Sequence, residues 1–517
     1  MHLLSPLIII LSITARLVAG GGPSEAAILS ITKRHSATLA STESSADVES
    51  IDVRDLPAML SRTGQNRRLG SPRVEDCLSL NSAVDTMSHI RIQAVLVEFC
   101  GLTPSEVCEY AAIAGDALDL NIICEPNFSV TLEKPEVATV HAITTATLDG
   151  VNDTYASLQT GLAEMEVPEA WQLVKESGKS SSDDEIIVAV FDSGVDDQHE
   201  DLRDSMWTGP GGSHGYNFVG DSTDVSDRLG HGTHCAGTIA AHRNNGRGIT
   251  GIAEAKLMSL NICDDSGACN VLLVFRAFEY ALEHGARISS HSYLADTGAA
   301  LLEEAYKNAG ATGHVMIFAA GNDNQEIGTS NYPCTLSRFI PTSVCVTHVN
   351  LDEPDKYMLA KKANYGPYVD MAAPGIGVLS TLPNSEYGYM SGSSMAAPHV
   401  AGVAGVLASM NLTGEDIIRA LRASVLPLSE SNTKFLKDGG GFLNARQAVV
   451  NALTLLNGGQ VTTRRWGSET TQVLPSGAPE SESSTSVSPT RTVPSSGHTI
   501  TNVLWTSVLL LLLIFWA

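Results

Sequence analysis

At 517 residues the chain is long enough for one large α/β domain with smaller pieces on either side. Its 57 acidic residues against 32 basic ones give a formal net charge of −25, the wrong sign for a nucleic-acid partner, which calls for clustered positive charge. Nine cysteines, none in a CxxC pair, argue against thiolate metal sites and, behind a secretory leader, favour disulfides.

In chain order, the apolar stretch HLLSPLIIILSITARLVAG, with small residues at Ala19 and Gly20, reads as a signal peptide over residues 1–20 and sends the protein to the cell surface or beyond. Residues 21–70 are rich in Ser, Thr and charge and are expected to be a disordered pro-region. A compact strand–helix–strand unit is predicted over 71–135. IRIQAVLVEF is its first strand, the capping box Thr103-Pro104-Ser105-Glu106 opens a helix running through Leu118, and LNIICEPNFSV is the second strand and exit turn. Residues 136–151 read as a connector.

From 152 to 456 apolar strands alternate with helical segments, the pattern of a parallel sheet covered on both faces. EIIVAVF, AKLMSLNI, RISSHSYL, HVMIFAA and SVCVTHV are the predicted strands; VLLVFRAFEYALEHG, AALLEEAYKNAG and MAAPHVAGVAGVLASM are the predicted helices. Residues 457–497 form a Ser/Thr/Pro-rich stalk with too few apolar residues to fold. Within 498–517 the apolar run is short for a hydrocarbon core, which needs about 20 apolar residues. Small residues at Ser495, Ser496 and Gly497, a spacer from His498 to Ser507 and the apolar tail from Val508 fit a glycolipid-anchor signal, with Ser495 as the attachment site. The expected membrane contact is that anchor.

Four short motifs carry chemistry. EIIVAVF ends in Asp192-Ser193-Gly194, at a strand end where open α/β sheets place their sites. HGTHCAGTIAA sets His231 between two glycines at a helix start, HVMIFAAGNDN delivers Asn322 on a glycine turn, and SGSSMAAPHVAG holds Ser393 and Ser394 ahead of a helix. Each alone is ordinary turn or core sequence, and a zinc reading of His231 with His234 lacks the HExxH arrangement. Together they supply an orienting carboxylate, an imidazole base, an amide donor and a hydroxyl.

DSGVDDQHEDL, HGTHCAGT, AAGN and SGSSMAAPHVAG, in that order, resemble the aspartate, histidine, oxyanion and serine motifs of the subtilases, the subtilisin-like serine proteases. The resemblance covers 152–456 and implies an α/β, subtilisin-like three-layer fold with a mainly parallel sheet, preceded by a small α+β prosegment domain. It implies Asp192 as orienting carboxylate, His231 as base then acid, Ser394 as nucleophile, and Asn322 as oxyanion donor, with Ser393 where the family usually has threonine. Ser292 and Tyr293 match the substrate-binding strand, but Leu294-Ala295 follows where the family usually carries two glycines, so cleavage preference does not transfer. Asp153, Asp201 and Asn245 match a structural calcium (Ca2+) site completed by carbonyls of the loop HRNNGRGI. Residues 71–135 resemble the inhibitory prosegment, which implies a zymogen cut between about Val140 and Val151. The implied activity is hydrolysis of peptide bonds in protein substrates through an acyl-enzyme. The rival reading is a catalytically inactive subtilase fold acting as a binding or adhesion module.

Four cysteines lie upstream and five in the central region. Cys263 with Cys269 and Cys334 with Cys345 are the expected central pairs because each closes a short loop, and Cys235 is left over as a buried thiol. His199, His214 and His399 are expected to be structural or solvent-facing, and Asn127, Asn152 and Asn411 begin glycosylation sequons.

Overall fold

A computed structural model describes residues 150–463 with gaps at 180–184, 296–299, 330, 354 and 438; outside that range it describes 9–11, 27–33, 85–87, 92–97, 108, 120–126, 129–132, 138–139, 148 and 472–473. The predicted helix over 103–118, apart from Cys108, and most of the stalk and the anchor signal lie outside the described residues. Among the described residues no helix is long and apolar enough to cross a membrane.

The central region is built on a ten-stranded sheet. Its spatial order is Val425–Leu426, Gly441–Leu443, Met371–Pro374, Ser343–Asn350, Val315–Ala319, Ile288–His291, Ile187–Asp192, Lys256–Asn261, Gly215–Asn217, with Met358–Leu359 paired to Ser343–Asn350 off this path. All neighbours on the path are parallel except Val425–Leu426, which runs antiparallel to Gly441–Leu443. Each of the five predicted strands overlaps an observed one; three contain it, and two observed strands run one residue further, to Asp192 and to Asn350. These runs are apolar on both faces because both faces are covered.

Alternation along Ile187–Asp192 divides the core. Val188 and Val190 point to the side of helices His231–Ala240 and Ser393–Ala408, while Ala189 and Phe191 point to the side of helices Val271–Glu283 and Ala300–Ala311. The result is three layers, helix on sheet on helix. Helix Ser393–Ala408 is buried along its whole length, which its small residues permit: a Cβ on Gly402 would meet Ile252 Cβ at 2.7 Å, and one on Gly405 would meet Ala253 Cβ at 2.8 Å. The chain enters Ile187–Asp192, crosses to Lys256–Asn261 on one side, then returns to Ile288–His291 on the other. The strand order therefore reverses at Ile187–Asp192, and its carboxyl end is the crevice where such sheets bind ligands.

Upstream, Ile92–Val97 and Leu120–Pro126 fall inside the two predicted strands. Residues 21–70 depart from the expectation of disorder at one place: Ala27–Lys33 is a strand pairing antiparallel with Ile9–Leu11 on one edge and Leu120–Pro126 on the other. The seven residues AILSITK are rich in β-branched and apolar side chains, and a partner strand decides their state. The disulfides Cys263–Cys269 and Cys334–Cys345 are formed as expected, Cys108–Cys124 joins two upstream cysteines, and Cys235 is free and buried. Cys77 and Cys100 lie outside the described residues.

The far side of the sheet is tied by one buried carboxylate. Asp370 Oδ1 accepts from Arg422 Nε at 3.1 Å and Lys437 Nζ at 2.8 Å, and Oδ2 accepts from Cys345 N at 2.9 Å. Burial alone would raise this carboxyl, but Arg422 and Lys437 beside it hold it below its ordinary 3.8. A depressed folded-state value means that its contribution to stability is full above 3.8 and is lost as pH falls through the lower value. Asp370→Ala strands two partly buried cations and is expected to cost about 3–5 kcal/mol, read as a lowered denaturant midpoint with an unchanged slope.

Candidate active site

Asp192 ends its strand at the switch point and is almost fully buried. Its carboxylate faces His231 Nδ1, at 2.8 Å from Oδ1 and 3.0 Å from Oδ2, and also accepts from Ser193 N at 2.8 Å. His231 is the first residue of helix His231–Ala240. Gly232 allows the approach, since a Cβ there would stand 2.1 Å from Gly194 O and 3.0 Å from Asp192 Cβ. Burial opposes an imidazolium at His231, but the Asp192 charge outweighs it and carries the group well above 6.5. Nε2 of His231 is buried and has no hydrogen-bond partner among the described residues.

The helix start is held by Asp227, which the sequence reading did not single out. Its Oδ1 accepts from Gly230 N at 2.8 Å, Leu229 N at 3.0 Å and Ser193 Oγ at 2.9 Å; its Oδ2 accepts from Thr233 N at 2.9 Å and Thr233 Oγ1 at 2.7 Å. An aspartate a few residues ahead of a helix start is the signal that could have identified it.

Ser394 lies in the first turn of helix Ser393–Ala408, behind Gly392 at φ 149°. Its Oγ donates to Ser292 O at 3.3 Å, and Ser292 Oγ donates to Ser394 O at 3.2 Å. Cys235 Sγ is 3.3 Å from Ser394 O, 3.7 Å from Ser292 Oγ and 4.0 Å from His231 Nδ1, so these residues share one buried neighbourhood. Burial pushes the Cys235 thiol up, which keeps it protonated.

Asn322 follows the strand Val315–Ala319 on the turn through Gly321, at φ 96°. Its Oδ1 accepts from Ser393 N at 2.7 Å, and Ser393 Oγ accepts from Gly321 N at 2.9 Å, so the asparagine turn and the serine loop are joined twice. Asn364, also missed, holds that turn from beneath: Oδ1 accepts from Asp323 N and Gln325 N, each at 3.0 Å, and Nδ2 donates to Ala320 O at 3.0 Å. Nothing local in the sequence marks Asn364, because its partners are 39 to 44 residues away.

The substrate-strand candidates behave differently. Ser292 faces Ser394, whereas the Tyr293 side chain points into the core. There His314 Nδ1 donates to Ala286 O at 2.8 Å, which leaves its Nε2 to accept from Ser289 Oγ at 2.8 Å. Ser289 Oγ in turn accepts from His291 Nε2 at 2.6 Å, and His291 Nδ1 accepts from Tyr293 OH at 2.8 Å, whose oxygen accepts from Tyr306 OH at 2.8 Å. Burial keeps both imidazoles neutral, pushing His314 down to about 4 and His291 well below 6.5. His199, His214 and His399 bond the carbonyls of Glu386, Trp207 and Met395, in keeping with structural roles.

The three candidate metal ligands come together away from this crevice. Asn245 Nδ2 donates to Asp201 Oδ1 at 2.6 Å, Ile249 N donates to Asp201 Oδ2 at 2.9 Å, and Asp153 accepts from Asn244 N at 2.9 Å and Gly246 N at 3.0 Å. Both carboxylates are buried. Burial, with the nearby Asp153 charge adding to it, pushes Asp201 up to about 6 against the hydrogen bonds it accepts.

A family model described as the subtilase family matches residues 183–446. Thermitase of Thermoactinomyces vulgaris is 35% identical over 300 residues, covering 58% of this chain and 98% of thermitase. The major intracellular serine protease of Bacillus subtilis (strain 168) is 32% identical over 325 residues, covering 60% of this chain and 93% of that protein. A solved protease of Pseudoalteromonas arctica is similar in structure, with a TM-score of 0.50 and 26% identity, over 59% of this chain and all of that one. A three-layer α/β fold with these motifs at the carboxyl edge of its sheet, matched over half its length, makes the chain a member of the subtilase family of serine proteases.

Proposed function

We propose that the protein is a serine endopeptidase, made as a zymogen, that cleaves protein substrates through an acyl-enzyme formed on Ser394. The observation that carries this reading is the buried Asp192–His231 pair, 2.8 Å long, beside a serine loop stitched to Asn322. Asp192 fixes the Nδ1–H tautomer, which leaves the Nε2 lone pair to take the Ser394 proton. Turning the Ser394 hydroxyl from Ser292 O to Nε2 is the activating step. Because the planar Asn322 amide has its oxygen held by Ser393 N, its NH₂ is turned toward Gly392, whose added Cβ would stand 3.2 Å from Nδ2. With Ser394 N it would stabilise the oxyanion. His231 then returns its proton to the leaving amine, and water releases the acyl group.

Asp153, Asp201 and Asn245 would hold a calcium ion with carbonyls of the loop after the histidine helix. Two buried carboxylates beside the Asn245 amide, which would turn its oxygen inward in place of Nδ2, supply oxygen donors suited to a hard cation, and such an ion would favour the ionised form of Asp201 against the burial that raises it. The ion would fix the loop and carry no chemistry. The leader at 1–20, the prosegment at 71–135, the stalk at 457–497 and the anchor signal at 498–517 place the enzyme in the secretory pathway and at the cell surface, with Ser495 as anchor site; their sequence composition supports this.

Ser394→Ala is expected to abolish peptidase activity and leave the precursor uncut, and Asn322→Ala to lower turnover by about 10²- to 10³-fold, the range for losing one oxyanion donor. Normal turnover by either purified variant removes that residue from the site. Because His231 must be neutral to act as base, kcat/KM is expected to fall in acid with a midpoint above 6.5, and a midpoint below that value contradicts the Asp192 effect. Chelation is expected to lower Tm, with calcium restoring about 2.7 kcal/mol at a hundredfold excess over Kd in the parent and nothing in Asp201→Ala.

A further inference from the structure

Three backbone carbonyls converge on one lysine close to the Asn322 turn. Lys434 Nζ donates to Ala360 O at 2.8 Å, to Lys361 O at 2.8 Å and to Ala363 O at 3.1 Å. These oxygens belong to a single tight turn, closed by Ala363 N donating to Ala360 O at 3.0 Å. Carbonyl dipoles aimed at one point repel one another unless positive charge sits between them. An ammonium meets that need, because it carries three donors about one compact charge.

The segment that carries Lys434 is anchored independently of the ammonium. Asn432 Oδ1 accepts from Leu359 N at 3.0 Å, and Asn432 Nδ2 donates to Tyr357 O at 3.1 Å. Past the turn, Gly366 N donates to Phe435 O at 2.8 Å. Lys434, half-buried, lies between these two anchors in the chain. Removing its side chain therefore removes the three-carbonyl contact and leaves the segment tied at both ends.

The same turn grips the oxyanion candidate. Lys362 O, which the ammonium does not use, accepts from Asn324 N at 2.9 Å, and Asn364 N donates to Gly321 O at 3.2 Å. The Asn364 side chain bonds Ala320 O, Asp323 N and Gln325 N, and Tyr365 N donates to Gln325 O at 3.1 Å. Backbone groups on both sides of Asn322 are thus held by residues 362–365. Thr347 Oγ1 donates to Asn364 O at 2.6 Å and Ala360 N donates to His348 O at 3.0 Å, which ties the turn to the sheet. Every carbonyl from Ala360 to Asn364 has its own donor, and the ammonium supplies most of them.

We infer, building on the serine-endopeptidase reading, that Lys434 is a positioning residue for the oxyanion donor. It is a cation tethered to the chain: it holds the turn 360–363 together and, through Lys362 O and Asn364, sets where the Asn322 NH₂ stands when the substrate carbonyl is attacked. It acts through the turn, not on the substrate. Since an oxyanion exists only as the bond forms, a misplaced donor lowers turnover and leaves substrate binding nearly as it was. The three oxygens also define what could stand in for the side chain, a free ammonium ion.

The test measures kcat and KM per titrated active site, which counts folded enzyme alone, in Lys434→Met, Lys434→Ala, Asn322→Ala and the Lys434→Ala/Asn322→Ala double variant. Lys434→Met keeps the stem and removes only the charged end. Both single changes at Lys434 are expected to lower kcat at least about tenfold with KM within about twofold, as for a reacting group displaced by a fraction of an ångström. In the Asn322→Ala background the Lys434→Ala change is expected to alter kcat less than about twofold, because the group it positions is already gone. Ammonium chloride is expected to raise the kcat of Lys434→Ala, and tetramethylammonium chloride at the same ionic strength to leave it unchanged. Parental kcat in both Lys434 variants, an equal loss with and without Asn322, or no difference between the two salts overturns the inference and leaves the peptidase reading standing. A folded parent protein that hydrolyses no peptide or protein substrate overturns both.

Discussion

The contact between Asp192 and His231 sets the terms for everything around it. A carboxylate and an imidazole excluded from water are tolerable only when each satisfies the other, and that requires a helix start to press against a strand end. The backbone permits this closeness through glycine at position 232, where any side chain would strike Gly194 O. Asp227 then gathers the N–H groups of Leu229, Gly230 and Thr233, so the same turn that exposes the imidazole has its own donors satisfied. The serine helix is the opposing jaw. Its full burial against Ile252 and Ala253 prevents it from withdrawing from the sheet, and its loop is joined to the Asn322 turn.

Much of this was legible in the sequence because it rests on local patterns. The five predicted strands are apolar runs that a two-sided sheet requires, and the catalytic candidates sit where glycine turns end those runs. The pairs Cys263–Cys269 and Cys334–Cys345 followed from short loops, and Cys235 from what remained. Other features were not legible because their causes are distant. Asn364 acts across 39 to 44 residues, Ala27–Lys33 becomes a strand only when Leu120–Pro126 lies beside it, and Tyr293 turns inward to meet Tyr306 and His291. Helix Ser393–Ala408 begins two residues ahead of the predicted Met395, since Gly392, at a φ of 149° that favours glycine, allows the helical path to start at Ser393.

The departure at Leu294-Ala295 takes on a physical meaning from its neighbours. Leu294 still exchanges two backbone hydrogen bonds with an extended segment, so the missing glycine does not close the edge to a strand. Its side chain instead lies over the Asn322 turn, where a Cβ on Gly321 would meet Leu294 Cδ1 at 2.4 Å. The glycine of the AAGN turn leaves the room that the Leu294 side chain fills.

The chain of bonds from Ala286 through His314, Ser289, His291 and Tyr293 to Tyr306 has a definite sense. Since a carbonyl can only accept and both imidazoles are neutral, pairing each nitrogen lone pair with a donor sets the direction of every bond along it, with Val315 O, 3.5 Å from Ser289 Oγ, as a longer second acceptor for that hydroxyl. The edge that Ile288–His291 leads into is thereby anchored from behind by buried groups. The entropy of ordering that edge is lost when the protein folds, so a peptide docking there would have to order only itself.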